Sequence, residues 1–298
     1  MSRTILVTGG TGFIGRHVVR RLLAAGDRVL VTGREAAPAG SELLAARFQE
    51  LPAAAFRGVE AAWHLAAETD TRAADETQWQ VNCRDACDFL TAAKACGVRR
   101  LVYASSCAVY GRGPSPFGEC RLPEPANAYG AAKAALDAFA SPFAVGIRPS
   151  NVFGPGEEHK GRSACYVGEI VRRARRGEPV ELFERCSRDL IAVDDMANAF
   201  VMAEHFRPGV YNGATGIAAD YNSVAVEVER LLGCEVAIRR VPCPFPVEFQ
   251  EFTAASVHKL ATAVRAAGFA EWSPMPWRAA LAKYVAAGWP VDPEPVPI

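Results

Sequence analysis

The stretch Thr8-Gly9-Gly10-Thr11-Gly12-Phe13-Ile14-Gly15 restricts the fold more than any other part of the chain. It follows an apolar run at residues 4–8 and opens a helical stretch at 13–25. Gly10, Gly12 and Gly15 satisfy G-x-G-x-x-G, and Gly9, Gly12 and Gly15 satisfy the tighter G-x-x-G-x-x-G. Glycines allow a sharp strand-to-helix turn and let the backbone approach a pyrophosphate at the helix N-terminus. The flanking strand and helix separate such a turn from a chance match. Gly9, Gly10, Thr11, Gly12, Phe13, Ile14 and Gly15 are therefore expected to cradle a dinucleotide.

The alternation continues along the chain. Apolar runs at 28–32, 61–66, 100–105 and 143–148 read as buried parallel strands, with helices near 76–96 and 128–139. This predicts an α/β fold with a doubly wound parallel Rossmann sheet over residues 1–150. Residues 34–58 are compressed, so a short third strand is expected near Arg47-Phe48-Gln49. After Pro149, helices at 163–176, 221–232, 256–266 and 276–287 alternate with short strands and prolines. Residues 151–298 thus read as a smaller, mixed α/β substrate lobe, with 189–206 returning to the first domain as strand then helix. The tail from Pro290 holds four prolines in nine residues and is expected to be extended.

A formal net charge of zero leaves no electrostatic footprint for nucleic acid or an anionic membrane. Arg172, Arg173, Arg175 and Arg176 read as a solvated helix end, where cations suit the dipole. The chain opens directly into an apolar strand, so no signal peptide is expected, and no apolar run reaches a membrane span. Nine cysteines without a Cys-x-x-Cys pair favour reduced thiols in the cytoplasm and no metal site.

The second strand ends Val31-Thr32-Gly33-Arg34. A carboxylate there would repel a 2′-phosphate, whereas Gly33 leaves room and Arg34 can pair with it. NADP is therefore favoured over NAD. The alternative is a solvated Arg34, with Glu35 taking the ribose.

Tyr129 and Lys133 stand one helical turn apart, on one helix face. A nearby cation is expected to lower the tyrosine pKa and make Tyr129 a usable acid/base. Ser106 follows the 100–105 strand, at the end where open α/β sheets bind ligands, and its hydroxyl can bond the reacting oxygen. His64 reads as packed or cofactor-adjacent rather than metal-binding. Cys107, Trp272 and Trp277 read as core.

The glycine turn, His64-Leu65-Ala66-Ala67, Asn82, Ser106 before Val109-Tyr110-Gly111, and Tyr129/Lys133 together resemble the extended short-chain dehydrogenase/reductase family. The resemblance implies a catalytic triad of Ser106, Tyr129 and Lys133, with Lys133 also holding the nicotinamide ribose. It implies that Leu65, Ala66, Ala67, Asn82 and Val152 complete the cofactor pocket. Dehydratases of that family carry Asp-Glu after the hydroxyl residue; Cys107-Ala108 here argues against dehydration.

A sharper resemblance begins at Asn151-Val152-Phe153-Gly154-Pro155-Gly156-Glu157-Glu158-His159-Lys160-Gly161 and continues through Leu182-Phe183-Glu184, Arg188-Asp189 and Gln250-Glu251-Phe252-Thr253. It is similar to the ADP-heptose 6-epimerases. That likeness implies that Lys160 is a second acid/base, that Asn151 and Phe183 meet a nucleotide-diphosphate sugar, and that Arg188 meets its diphosphate. Three positions depart from the pattern: Arg162, Glu169 and Phe249, all expected to line the substrate pocket. Extended family members pair through two helices. Ser141-Pro142 shortens the second, so any homodimer is expected to use the 76–96 helix.

The reading is an epimerase of a nucleotide-activated heptose that works by oxidation and re-reduction. The alternatives are a 4-epimerase or reductase of another nucleotide sugar and, from another class, a non-catalytic NADP-binding sensor.

Overall fold

The computed structural model describes residues 2–33, 36–243 and 250–290, with His159 and Arg162 described by backbone alone. The first half comprises β1 (Thr4–Thr8), α1 (Phe13–Ala24), β2 (Arg28–Thr32), β3 (Glu42–Leu44), β4 (Val59–His64), α2 (Asp75–Trp79), α3 (Asp85–Ala95), β5 (Arg100–Ala104), α4 (Ala128–Ala140) and β6 (Val145–Pro149). The second comprises β7 (Asn151–Phe153), α5 (Tyr166–Arg176), β8 (Val180–Phe183), β9 (Ser187–Ala192), α6 (Val193–Met202), β10 (Gly209–Gly213), β11 (Ala218–Asp220), α7 (Tyr221–Leu232), β12 (Ile238–Val241), α8 (His258–Ala266) and α9 (Trp277–Ala286).

Seven strands form one parallel sheet in the order β10-β6-β5-β4-β1-β2-β3. Along β1, Ile5 and Val7 face one core, with Val18, Leu22 and Phe200, while Leu6 faces another, with Phe89, Leu90 and Leu136. Both sheet faces are therefore covered, as a doubly wound fold requires. The strand order reverses between β1 and β4. The register sets Thr8 beside both Thr32 and His64, so these strand ends open on one crevice. A mixed sheet, β11-β9-β7, and a pair, β12-β8, build the smaller lobe.

Four local expectations are corrected. The third strand is Glu42–Leu44; Phe48 instead begins a 3₁₀ turn and buries its ring against His64 and Phe89. An edge strand needs only one paired side, so the apolar Phe48 marked core rather than strand. The predicted 76–96 helix is interrupted by a π turn at Gln80–Arg84. That turn carries the fully buried Asn82, whose Nδ2 donates to Glu68 O (2.9 Å) and Gln78 Oε1 (2.7 Å). The strand of the 189–206 segment joins β7 and β11, not the large sheet. Its helix α6 does pack on α1, and the seventh strand, β10, comes from residues 209–213, where no strand of the large sheet was expected. Finally, Arg175 is no solvated helix end: it donates to the carbonyls of Trp289 (3.2 Å) and Pro290 (3.0 Å).

Other expectations hold. α4 stops at Ala140, just before Ser141-Pro142. α7 spans Tyr221–Leu232 as its periodicity predicts. The parts are joined at Asp194, which accepts from Arg21 of α1 (3.1 Å) and from Lys283 and Tyr284 of α9 (3.0 Å each). No helix among the described residues is long and apolar enough to cross a membrane.

Candidate active site

At the end of β1, Gly9 turns at φ +69°, and a Cβ there would lie 2.5 Å from Ala66 N. Only glycine lets this turn pass under the segment after β4. Leu65 N donates to Thr8 O (3.0 Å) and Ala66 N to Thr8 Oγ1 (3.3 Å), which sets Leu65, Ala66 and Ala67 beside the turn. α1 begins at Gly12 with no side-chain cap and no carboxylate in its first turn. Its N-terminal amides and dipole therefore suit a pyrophosphate, and the residues present fit a dinucleotide. Arg16, unremarked in the sequence, wraps back to Thr11 O (2.9 Å) and adds positive charge there. Gly33 faces Thr11 across the turn, 3.4 Å from where its Cβ would stand. Val152 and Ile14 pack where the two main cores meet. Arg34 and Phe249 lie outside the described residues.

Thr8 and His64 share a hydrogen bond of 2.9 Å. Burial, and secondarily the charge of Lys133, push the imidazole down to about 3. His64 is therefore a neutral, packed group stacked on Phe89 at 5.0 Å.

Ser106 stands two residues past β5 and caps a 3₁₀ turn, its Oγ accepting from Ala108 N at 3.1 Å. Asn127 caps α4 by accepting from Gly130 N at 2.9 Å. Gly130 makes the approach of α4 possible, because a Cβ there would lie 2.6 Å from Ala108 O. The result brings the Tyr129 hydroxyl and Ser106 close enough to influence each other. Burial pushes the phenol up, and Ser106 only partly reverses it. The expected acidification by Lys133 is not seen, because the lysine is aimed elsewhere. Its Nζ donates to Ala104 O at 2.9 Å. Lys133 is 1% exposed, and burial pulls it down to about 8 against the opposing charge of Asp137.

Asp137 anchors a buried network that the sequence reading missed. It accepts from Arg148 Nε (2.7 Å) and Tyr103 OH (3.0 Å). Arg148 Nη1 donates to Tyr110 OH (2.9 Å), which donates to Asn212 Oδ1 (2.7 Å). The network ties β5, β6, β10 and α4 together behind Ser106. Its visible signal was the spacing: Asp137 stands one turn beyond Lys133. Cys107 is buried beside it, with Sγ donating to Arg148 O (3.3 Å).

Lys160 comes from the other lobe, on a 3₁₀ segment, Glu158–Ser163. Its Nζ lies 5.6 Å from the centre of the Phe13 ring, at the first residue of α1. Burial lowers its pKa, with Glu157 opposing. His17 of α1 donates to Pro155 O (2.8 Å) and fixes the same loop. Among the substrate candidates, Asn151 Oδ1 meets Thr253 Oγ1 at 3.4 Å. Arg188, largely buried, donates to Ser187 O (3.0 Å) and Glu251 O (3.3 Å). Phe183 lines a cavity of about 340 Å³ with Cys186, Ser187, Tyr221, Arg240 and Phe252. That cavity belongs to the smaller lobe and is not lined by Ser106, Tyr129 or Lys133. Glu169 is engaged within its own helix, accepting from Arg173 (2.7 Å) and Arg172 (3.2 Å).

Comparison with known proteins accords with this geometry. The ADP-L-glycero-D-manno-heptose-6-epimerase of Brachyspira hyodysenteriae is 29% identical over 295 residues, 89% of this chain and 92% of that protein. The protein of that name from Pseudomonas aeruginosa PAO1 is 34% identical over 256 residues, 76% of this chain and 77% of its own. A UDP-glucose 4-epimerase of Streptomyces lividans is 31% identical over 270 residues, 78% and 82% of the two chains. Among solved structures, MoeE5 in complex with UDP-glucose and NAD is 27% identical with a TM-score of 0.83, covering 95% of this chain and 97% of the other. The Thermus thermophilus UDP-glucose 4-epimerase complex with NAD is 29% identical with a TM-score of 0.81, covering 95% and 98%. Both solved relatives hold NAD, so the preference for NADP drawn from Arg34 finds no support. Residues 5–214 match the NAD dependent epimerase/dehydratase family, and the chain is an enzyme belonging to it.

Proposed function

We propose that this enzyme is a nucleotide-sugar epimerase that inverts C6 of an ADP-heptose by transient oxidation to a ketone and re-reduction. The observation that carries the reading is Lys160, which reaches from the smaller lobe over Phe13, at the start of the dinucleotide helix. Inversion needs the ketone to be reduced on its other face, and one proton-transfer group serves each orientation. Tyr129, as the phenolate, takes the hydroxyl proton in one, with Ser106 bonding the reacting oxygen. Lys160 serves the other. Lys133 holds the nicotinamide ribose. The glycine turn, Leu65, Ala66, Ala67, Asn82 and Val152 hold the dinucleotide, which when bound supplies a reversible store of hydride. We assign NAD to this site on the strength of the solved relatives. Fluorescence titration with NADH and NADPH tests it; tighter NADPH binding would restore the role first read into Arg34.

The nucleotide half of the substrate belongs in the cavity beside Phe183, with Asn151, Glu169 and Arg188 along the substrate path; the roles expected for Arg162 and Phe249 fall outside the described side chains. A dimer through the 76–96 segment is part of the same proposal, and charge-reversal there should yield monomers in sedimentation.

The test is an NMR time course with ADP-D-glycero-D-manno-heptose in deuterated water. The C6 epimer should form without deuterium on carbon. Deuterium at a neighbouring carbon would indicate an enolising route instead. The likeness to the Streptomyces protein favours one second reading, a 4-epimerase, and conversion of UDP-glucose but not the heptose would select it. A sensor would bind NAD and convert neither.

A further inference from the structure

The loop that carries Lys160 is closed by a single buried carboxylate. Glu157 is 1% exposed. Its Oε1 accepts from Gly154 N (3.4 Å) and its Oε2 from Cys165 N (2.8 Å). One side chain therefore joins both ends of the segment containing Lys160, whose own amide donates to Glu157 O (2.9 Å). Both oxygens act as acceptors. An amide in this place would offer one acceptor and turn an N–H toward a backbone N–H.

We propose that Glu157 is the positioning residue for Lys160, closing the loop that holds its ammonium over Phe13. The proposal rests on reading Lys160 as the second acid/base. A proton donor must carry its proton, and a buried lysine tends to lose it. Burial does lower Lys160, and Glu157 is the largest influence opposing that. Burial in turn pushes Glu157 up to about 7, with Lys160 and the two backbone bonds opposing. Among the described side chains, the other titratable groups near the pair are Glu158 and Cys165 on the loop and Tyr221 from α7; Arg188 from β9 acts on Cys165. Arg16 of α1 lies against Gly156. Within this set Lys160 is the cation that opposes the rise of Glu157, and Glu157 is the carboxylate that opposes the fall of Lys160.

The experiment is competitive acetylation of the intact protein across pH, read peptide by peptide by mass spectrometry. It reports the titration midpoint of Lys160 without any substrate. In Glu157→Gln the midpoint should fall by about one unit, and Lys160 should react about tenfold faster near neutrality, with the exposed Lys94 unchanged as reference. The kcat should fall several-fold with KM little changed, and its alkaline limb should move to lower pH by the same amount. Glu158→Gln, whose carboxylate bonds Gly156 N, should leave the midpoint in place. Should Glu157→Gln fail to fold, Glu157→Asp keeps the charge but withdraws it by one methylene, and a smaller fall is expected. An unchanged Lys160 midpoint in either folded variant overturns the proposal. A shifted midpoint in a protein that epimerises no nucleotide sugar supports the coupling and removes the epimerase reading instead.

Discussion

The two lysines of the site sit in contrasting settings. Lys133 lies mid-helix on α4, packed against a parallel sheet and fixed by a bond to Ala104 O. Lys160 lies on one short 3₁₀ segment, over an aromatic ring. Burial lowers the pKa of both, and one carboxylate opposes the fall in each, Asp137 for Lys133 and Glu157 for Lys160. The difference is how the carboxylate arrives. Asp137 follows from helix register and is held by Arg148 and Tyr103. Glu157 arrives only because its loop folds back on it. A helical site is thus rigid through its scaffold, and a loop site through its own closure.

The comparison can be broken first at the centre of the helical site. Tyr129→Phe should lower turnover by about 10³- to 10⁴-fold while leaving the melting temperature within a degree or two, since only a hydroxyl is lost. The heptose time course measures it, and retained turnover would remove the tyrosine from the mechanism.

The next effect concerns stability. Asp137→Ala leaves the guanidinium of Arg148 buried without its carboxylate, which should destabilise the fold by about 3–5 kcal/mol in denaturant unfolding. Glu157→Ala should cost less, because it strands two backbone amides and loosens a loop, whereas Asp137→Ala leaves a guanidinium in the core without its carboxylate. The reverse ranking would mean that the loop, not the helix, carries the stability.

Lys160→Met should reduce net epimerisation by about 10²-fold, with melting nearly unchanged. If the Tyr129 half of the cycle survives, the variant should still build up a cofactor absorbance change on adding substrate. Loss of both signals would place the two lysines in one function rather than two.

The smallest effects are in pH. Lys133 is pulled from 10.5 to about 8, so its contribution to stability is full above pH 10.5 and is lost as pH falls through 8. Glu157 is pushed from 4.5 to about 7, so its contribution is full below pH 4.5 and is lost as pH rises through 7. The stability advantage of wild type over Lys133→Met should therefore shrink as pH falls from 10.5 to 8. Its advantage over Glu157→Gln should shrink as pH rises from 4.5 to 7. Melting temperatures across those windows check both signs.

Local patterns along the chain were enough for the parallel strands, the glycine turn, the helix carrying Tyr129 and Lys133, and the stop at Ser141-Pro142. Each depends on a few neighbouring residues: a continuous apolar run, a turn glycine, an i,i+4 spacing, a proline. Tertiary structure alone decided the rest. Edge pairing set the third strand at Glu42–Leu44, and burial of Asn82 went with a π turn in a helix that looked regular. Burial raised the phenol of Tyr129 where a neighbouring cation was expected to lower it, and Lys133 turned to Ala104 O instead. The Asp137–Arg148 network and the Glu157 clamp join residues whose charges meet only after long-range packing has removed the water between them. Desolvation is a property of the assembled core, and no local pattern in the chain records it.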